Sequence, residues 1–140
     1  VDEYMLYEAK VFGASAVLLI CSILSGEQIK SYLGICDELG LSALVEAHDE
    51  NEVQSALDAG ARIIGVNNRN LKDFSVDIDN NRRLRKLIPR DVLFVSESGV
   101  SCAEDVAKLR EIGADAVLIG EVLMRSLDKK VKLDELRGTI

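Results

Sequence analysis

The chain has 140 residues, 17 basic and 24 acidic, giving a formal net charge of −7 at pH 7. Such a surface repels a nucleic-acid backbone or an anionic bilayer, so neither is an expected partner. A small phosphorylated substrate remains open, because a local cluster of backbone N–H groups can outweigh a distant net charge.

The opening segment VDEYMLYEAK is acidic and helical in character, unlike a secretory leader. No apolar run reaches the ~18 residues that span a bilayer. Cys21, Cys36 and Cys102 form no CxxC pair, and His48 is the single histidine, so the thiols read as reduced and no zinc site is expected. A cytoplasmic protein without cofactor or metal is the expectation.

The first buried-strand pattern is Ala14 to Ile20, nearly continuous and apolar. A capping box of Ser25 with Gln28 opens a helix whose Ile29, Leu33, Cys36 and Leu39 form one apolar stripe. Leu41 to Ala47 is the second strand, followed by a helix beginning at Asp49 with Glu52. Ala61 to Asn67 is the third strand, and Pro89 closes the segment around Arg82 to Ile88. The basic positions there have helical spacing and read as a solvated face. Asp91 to Ser98 is the fourth strand, then a helix capped by Ser101 with Glu104 and striped by Val106, Leu109 and Ile112. Ala114 to Gly120 is the fifth, followed by the short helical stretch EVLMRSL. Gly13, Gly40, Gly60 and Gly113 stand between helix and strand, where a left-handed residue ends a helix.

A helix followed by five strand–helix units predicts a parallel sheet with right-handed crossovers, forming one domain over residues 1–140. Two architectures fit. One is a partial (βα)8 barrel, since a full barrel takes about 250 residues and this chain supplies about five of its units. The other is a flavodoxin-like open sheet, which suits the length unaided.

In either fold the chemistry belongs at the carboxyl ends of the strands, and these ends are polar. Glu46 ends the second strand, Asn67 the third, and Glu97-Ser98-Gly99 the fourth. Alternation puts Glu97 on the face of Val95 and Leu93, and Asn67 on the face of Gly65 and Ile63. Two carboxyl groups and a carboxamide at one rim can move protons on a sugar-like substrate and hold its hydroxyls. Gly99 and the pair Gly120-Glu121 lie where the loops after the last two strands of a barrel cradle phosphate. Arg69 can reach a substrate or pair with a carboxylate. His48 reads as a solvated residue at a helix start.

The segments LVEAHDENEV, GARIIGVNNRNL, LFVSESGV and SCAEDVAKLREIGADAVLIGEVLMR resemble indole-3-glycerol phosphate synthase, from its fourth strand to its end. VDEYMLYEAKVFGASAVLLICSIL fits the helix and strand that enter that region. The resemblance implies a tryptophan-biosynthetic lyase without metal or cofactor. Its reaction closes the ring of a carboxyphenylamino-deoxyribulose phosphate with loss of carbon dioxide and water.

By motif position Glu46, Asn67 and Glu97 are then the catalytic group. Ser98 and Arg69 contact substrate, and Gly99, Gly120 and Glu121 fall at the phosphate. The family's general-acid lysine, its Glu-x-Lys motif and its covering N-terminal helix have no counterpart here, and Val122 stands where a serine is frequent. The isolated chain is therefore expected to be inactive and to hide its bare sheet face, where Leu18, Ile63, Leu93 and Val117 are expected, by self-association or by pairing with a complementing N-terminal barrel fragment. The alternative is a non-catalytic phosphate-binding or purely structural fragment.

Overall fold

A computed structural model describes residues 2–69 and 79–138. The order is α1 (Tyr4–Val11), β1 (Ala16–Ile20), a 3-10 turn (Cys21–Ile23), α2 (Gly26–Leu39), β2 (Ser42–Ala47), α3 (Glu50–Asp58), β3 (Ile63–Asn67) and α4 (Asp79–Arg85). It continues with β4 (Leu93–Glu97), α5 (Ala103–Ile112), β5 (Ala116–Leu118), α6 (Glu121–Arg125) and α7 (Lys129–Arg137). Each strand lies inside the segment expected for it.

The five strands form one parallel sheet in the order β1-β2-β3-β4-β5. That order excludes the flavodoxin-like alternative, whose sheet reverses direction beside its first strand. A right-handed crossover that always steps the same way puts every helix on the same face, which is how a barrel wall grows. The sheet is an open partial α/β barrel, because β1 and β5 are not paired with each other.

Strand alternation therefore has two different consequences. Val45, Ile64, Val66 and Phe94 point under the helices and are wholly buried, joined by Ile29 and Cys36 from α2 and Val53 from α3. On the other face Leu18, Leu93 and Leu118 are 46%, 50% and 47% exposed. Val117 had been expected on that bare face with Leu18, Ile63 and Leu93. Instead it packs beneath the helices with Val100, Leu109 and Leu136. The register explains this: Ala116 pairs with Val95 and Leu118 with Glu97, so those two residues share the open face.

The helix ends follow local chemistry. Ser25 and Gln28 form the expected reciprocal capping box. At α5 the cap lies one residue beyond the expected Ser101–Glu104 pair. Asp105 supplies the carboxylate, which accepts from the Ser101 and Cys102 N–H groups and from the Ser101 hydroxyl. An aspartate at the third helical position reaches back as well as a glutamate, so the motif slid without being lost. Gly13, Gly40, Gly60 and Gly113 all adopt the left-handed conformation expected of them.

This sidedness predicts unequal costs for neighbouring strand residues. In denaturant unfolding, Phe94→Ala should lose about 3–5 kcal/mol. Leu93→Ala, one residue away on the open face, should lose well under half of that. Equal losses would show that the bare face is covered in solution, by a second copy or by the chain itself.

Candidate active site

The strand register assembles the site. Ile20, Glu46, Gly65, Val95 and Ala116 form one row across the open face, and Asn67, Glu97 and Leu118 form the next row towards the carboxyl rim. Glu46 and Glu97 are thus diagonal neighbours, with β3 between them. They can meet only because β3 carries no side chain at the crossing point. A Cβ on Gly65 would overlap the Glu97 Oε1 atom and crowd its Cδ at 2.9 Å. Glycine serves here as a gap through which one carboxyl group reaches another.

Both carboxyl groups are buried, Glu46 at 5% exposure and Glu97 at 3%. Burial first, then the charge of Glu46 and a hydrogen bond with it, together push the Glu97 carboxyl up to about 8. Two carboxyl groups in contact out of water cannot both ionise, so the pair holds one proton at neutral pH. An acid held protonated beside a carboxylate is an acid–base centre in itself.

Asn67 turns its Oδ1 back to accept the Arg69 N–H at 3.0 Å, which closes the turn leaving β3. Arg69 reaches across the rim to Glu121 on α6, Nη2 to Oε2 at 2.7 Å, and Arg125 takes the other carboxylate oxygen at 3.0 Å. The Arg69 bond and charge, reinforced by Arg125, hold the Glu121 carboxyl below its ordinary range. The Glu121 side chain is therefore an engaged anion, and only its backbone N–H remains to offer a second anion. The Asn70 and Leu71 positions of the VNNRNL motif lie outside the described residues.

Ser98 and Gly99 follow β4 with φ of 66° and 83°. Two successive residues with positive φ bend the chain sharply away from the strand at the rim. A left-handed serine is uncommon and persists only when its surroundings hold it. Asn68 does the holding. Its Nδ2 donates to Ser96 Oγ, the Glu97 carbonyl and the Ser98 carbonyl, at 3.0–3.1 Å, while its own N–H donates to the Glu97 carbonyl. The Ser98 N–H donates to the Leu118 carbonyl, which brings the Ser98-Gly99 turn beside Gly120, the residue before α6.

The geometry adds His48, which the sequence reading assigned to solvent. Its ring Nδ1 lies 3.1 Å from Glu52 Oε2 and its Nε2 lies 3.4 Å from Glu46 Oε1. Glu52, at the third position of α3, turns its carboxylate to the His48 N–H at 2.7 Å. Asp49 accepts from the Glu52 N–H, so only half of the capping box expected there forms with Asp49. The sequence signal was present as Glu46-x-His48, two residues apart along an extended segment and so on one side of it. Cys21 lies under this cluster, and burial, followed by the charges of Glu52, Glu46 and Asp49, pushes its thiol up to about 12.

Comparison with known proteins identifies the family. Residues 1–136 match the family model for indole-3-glycerol phosphate synthase, and the chain belongs to that family. It is 60% identical over 139 residues to the indole-3-glycerol phosphate synthase of Ruminiclostridium cellulolyticum, covering 99% of this chain and 54% of that one. It is 55% identical over 138 residues to the synthase of Leuconostoc mesenteroides subsp. mesenteroides, covering 99% and 53%. The chain thus spans about half the length of the curated relatives it matches.

Among solved structures, 3-hexulose-6-phosphate synthase from Salmonella typhimurium superposes with a TM-score of 0.78 at 18% identity, covering 94% of this chain and 65% of that one. Thiamine phosphate pyrophosphorylase from Pyrococcus furiosus gives 0.74 at 18% identity, covering 93% and 61%. At that identity the likeness is one of fold.

Two predictions follow from the pair and its support. Because folding raises the Glu97 carboxyl from 4.5 to about 8, the native state binds the extra proton. Its contribution to stability is full below pH 4.5 and is lost as pH rises towards 8. Melting curves between these limits should therefore show wild type losing stability relative to Glu97→Gln as pH rises, and a constant difference would refute the raised acid. Asn68→Ala leaves the buried Ser96 hydroxyl and the Ser98 carbonyl without the Asn68 side-chain donor, while the Glu97 carbonyl keeps the backbone N–H, and should cost about 1–3 kcal/mol in denaturant unfolding. A loss below ~0.5 kcal/mol would show that Ser98 holds its turn unaided.

Proposed function

We propose that residues 1–140 form one partial barrel domain carrying the fourth to eighth strands of an indole-3-glycerol phosphate synthase, together with the part of its active site borne by those strands. The observation that carries this reading is the Glu46–Glu97 pair over Gly65, with Asn67 and the Ser98-Gly99 turn at the same rim. Family membership supports the same chemistry.

The substrate is a carboxyphenylamino-deoxyribulose phosphate, cyclised with loss of carbon dioxide and water. Its phosphate takes the backbone N–H groups around Gly99, Gly120 and Glu121, with Ser98 and Arg69 as further substrate contacts. Glu97, holding the pair's proton, donates to the departing hydroxyl, and Glu46 accepts a proton as the ring regains aromaticity. Asn67 orients a substrate hydroxyl. No metal or cofactor enters this scheme.

The strand positions of the open face hold no lysine. A general acid contributes typically 10² to 10⁴-fold. An ammonium that protonates the substrate and steadies its developing charge must therefore come from another segment, and this chain alone does not turn over. Leu18, Leu93 and Leu118 are about half exposed on the face such a segment would cover. Self-association covers that face when the chain is by itself, and an N-terminal barrel fragment covers it in the active assembly. No described helix is long and apolar enough to cross a membrane.

Light scattering and thermal melts with and without indole-3-glycerol phosphate test the reading. The expected result is a discrete oligomer whose melting temperature rises with ligand. Mixing with the amino-terminal portion of the Ruminiclostridium cellulolyticum synthase should restore ring closure that either part lacks. A compact monomer indifferent to the ligand, and inactive in the mixture, would overturn it in favour of a structural fragment.

A further inference from the structure

The carboxyl pair does not end at Glu46. Outward from it runs a chain of groups in contact: Glu97, Glu46, His48 and Glu52. Side-chain exposure rises along this chain, from 6% at Glu46 to 20% at His48 and 21% at Glu52. It therefore leads from the sealed interior to water.

His48 is held at four points. Its N–H and its Nδ1 both face Glu52 Oε2, its carbonyl accepts from Asn80 Nδ2 at 3.1 Å, and its Nε2 is directed at Glu46. That Nε2 is buried and, among the described residues, has no hydrogen-bond partner closer than the 3.4 Å approach to Glu46. A histidine immobilised on one side and left with an unsatisfied nitrogen aimed at an active-site carboxyl is oriented for that carboxyl. The cluster is not a metal cage either: among the described residues no three His, Cys, Asp or Glu side chains are arranged to hold an ion.

We infer that His48 is a positioning residue: braced by Glu52, it presents its Nε2 edge to Glu46, assigning Glu46 the ionised role in the pair and Glu97 the proton-carrying one. With Nδ1 engaged by Glu52, the ring stands between two carboxyl groups with its Nε2 edge turned to Glu46. That polar edge lies next to Glu46 and on the far side from Glu97, so it breaks the symmetry of an otherwise interchangeable pair. Among the described residues, the charged and titratable groups around the ring are Glu46 on β2, Asp49 and Glu52 at the start of α3, Cys21 beneath them and Glu97 on β4 beyond Glu46, with Arg83 on α4 one step away through Asn80. The assignment deepens the proposed function, because it concerns the same acid–base centre.

The experiment is a carboxyl-carbon NMR titration of the full chain, with labelled glutamate, in wild type, His48→Gln and Glu52→Gln. In wild type the step near pH 8 should appear on the Glu97 carbon. In His48→Gln the same step should be divided between the Glu97 and Glu46 carbons with comparable amplitudes, in a protein whose amide spectrum is otherwise preserved. Glu52→Gln keeps an acceptor for both His48 N–H groups but removes the charge, and should give an intermediate division. If His48→Gln does not fold, Glu52→Gln carries the comparison alone. A step that stays on Glu97 in every variant that folds would overturn the assignment. The titration needs no substrate, so failure of the synthase reading would show in the ligand and complementation measurements while leaving this result standing.

Discussion

Two carboxyl groups meet inside a parallel sheet because one residue between them has no side chain. Everything at the candidate site follows from that meeting over Gly65. The strand register brings Glu46 level with Gly65 and sets Glu97 one pleat further on, so the diagonal crosses the only gap in the row. Water is excluded, one proton is shared, and the pair acquires a polarity that its neighbours can bias. Removing the gap would separate the carboxyl groups without touching either one. The glycine therefore belongs to the chemistry as much as the acids do.

A second constraint is the strictly sequential strand order. It puts all helices on one face and leaves the other to line the site, so a single sheet has a hydrocarbon core behind it and a reactive surface before it. The same arrangement leaves Leu18, Leu93 and Leu118 half bare. The apolar residues low on that face and the polar ones at its rim are successive pleats of the same strands, and whatever covers the former also encloses the latter. Burial of the face and closure of the site are in this sense one event.

Much of this was legible in the residues. Five apolar runs separated by helical segments announced five strands, and the polar ends Glu46, Asn67 and Glu97 announced the rim, because alternation with period two is a strong local signal. What was lost depended on contacts between elements. Val117 was placed on the wrong face because β5 has only three residues, too few to show its own phase, and its pairing with β4 decides the matter. The α5 cap slid by one residue because Ser101 and Cys102, Glu104 and Asp105 offer near-equivalent chemistry. His48 looked solvated since its partners, Glu46 and Glu52, come from two different elements. Asn68 was passed over beside Asn67, although the pleat turns it to the opposite face, where it ties β3 to the turn after β4. For the same reason the site residues were easier to find than the residues that orient them.

The sequential order also bears on how such a sheet can be made. Every strand pairs with the one synthesised just before it, and no directly paired residues lie further apart in sequence than Asn67 and Glu97. Loop closures are therefore short and of similar length, and their entropic cost grows only as the logarithm of that length. Contacts this local favour quick assembly in which each emerging unit docks on an edge already formed. A ribosome could thus lay down the wall strand by strand, with the acid–base pair completed only when β4 arrives to place Glu97 over Gly65.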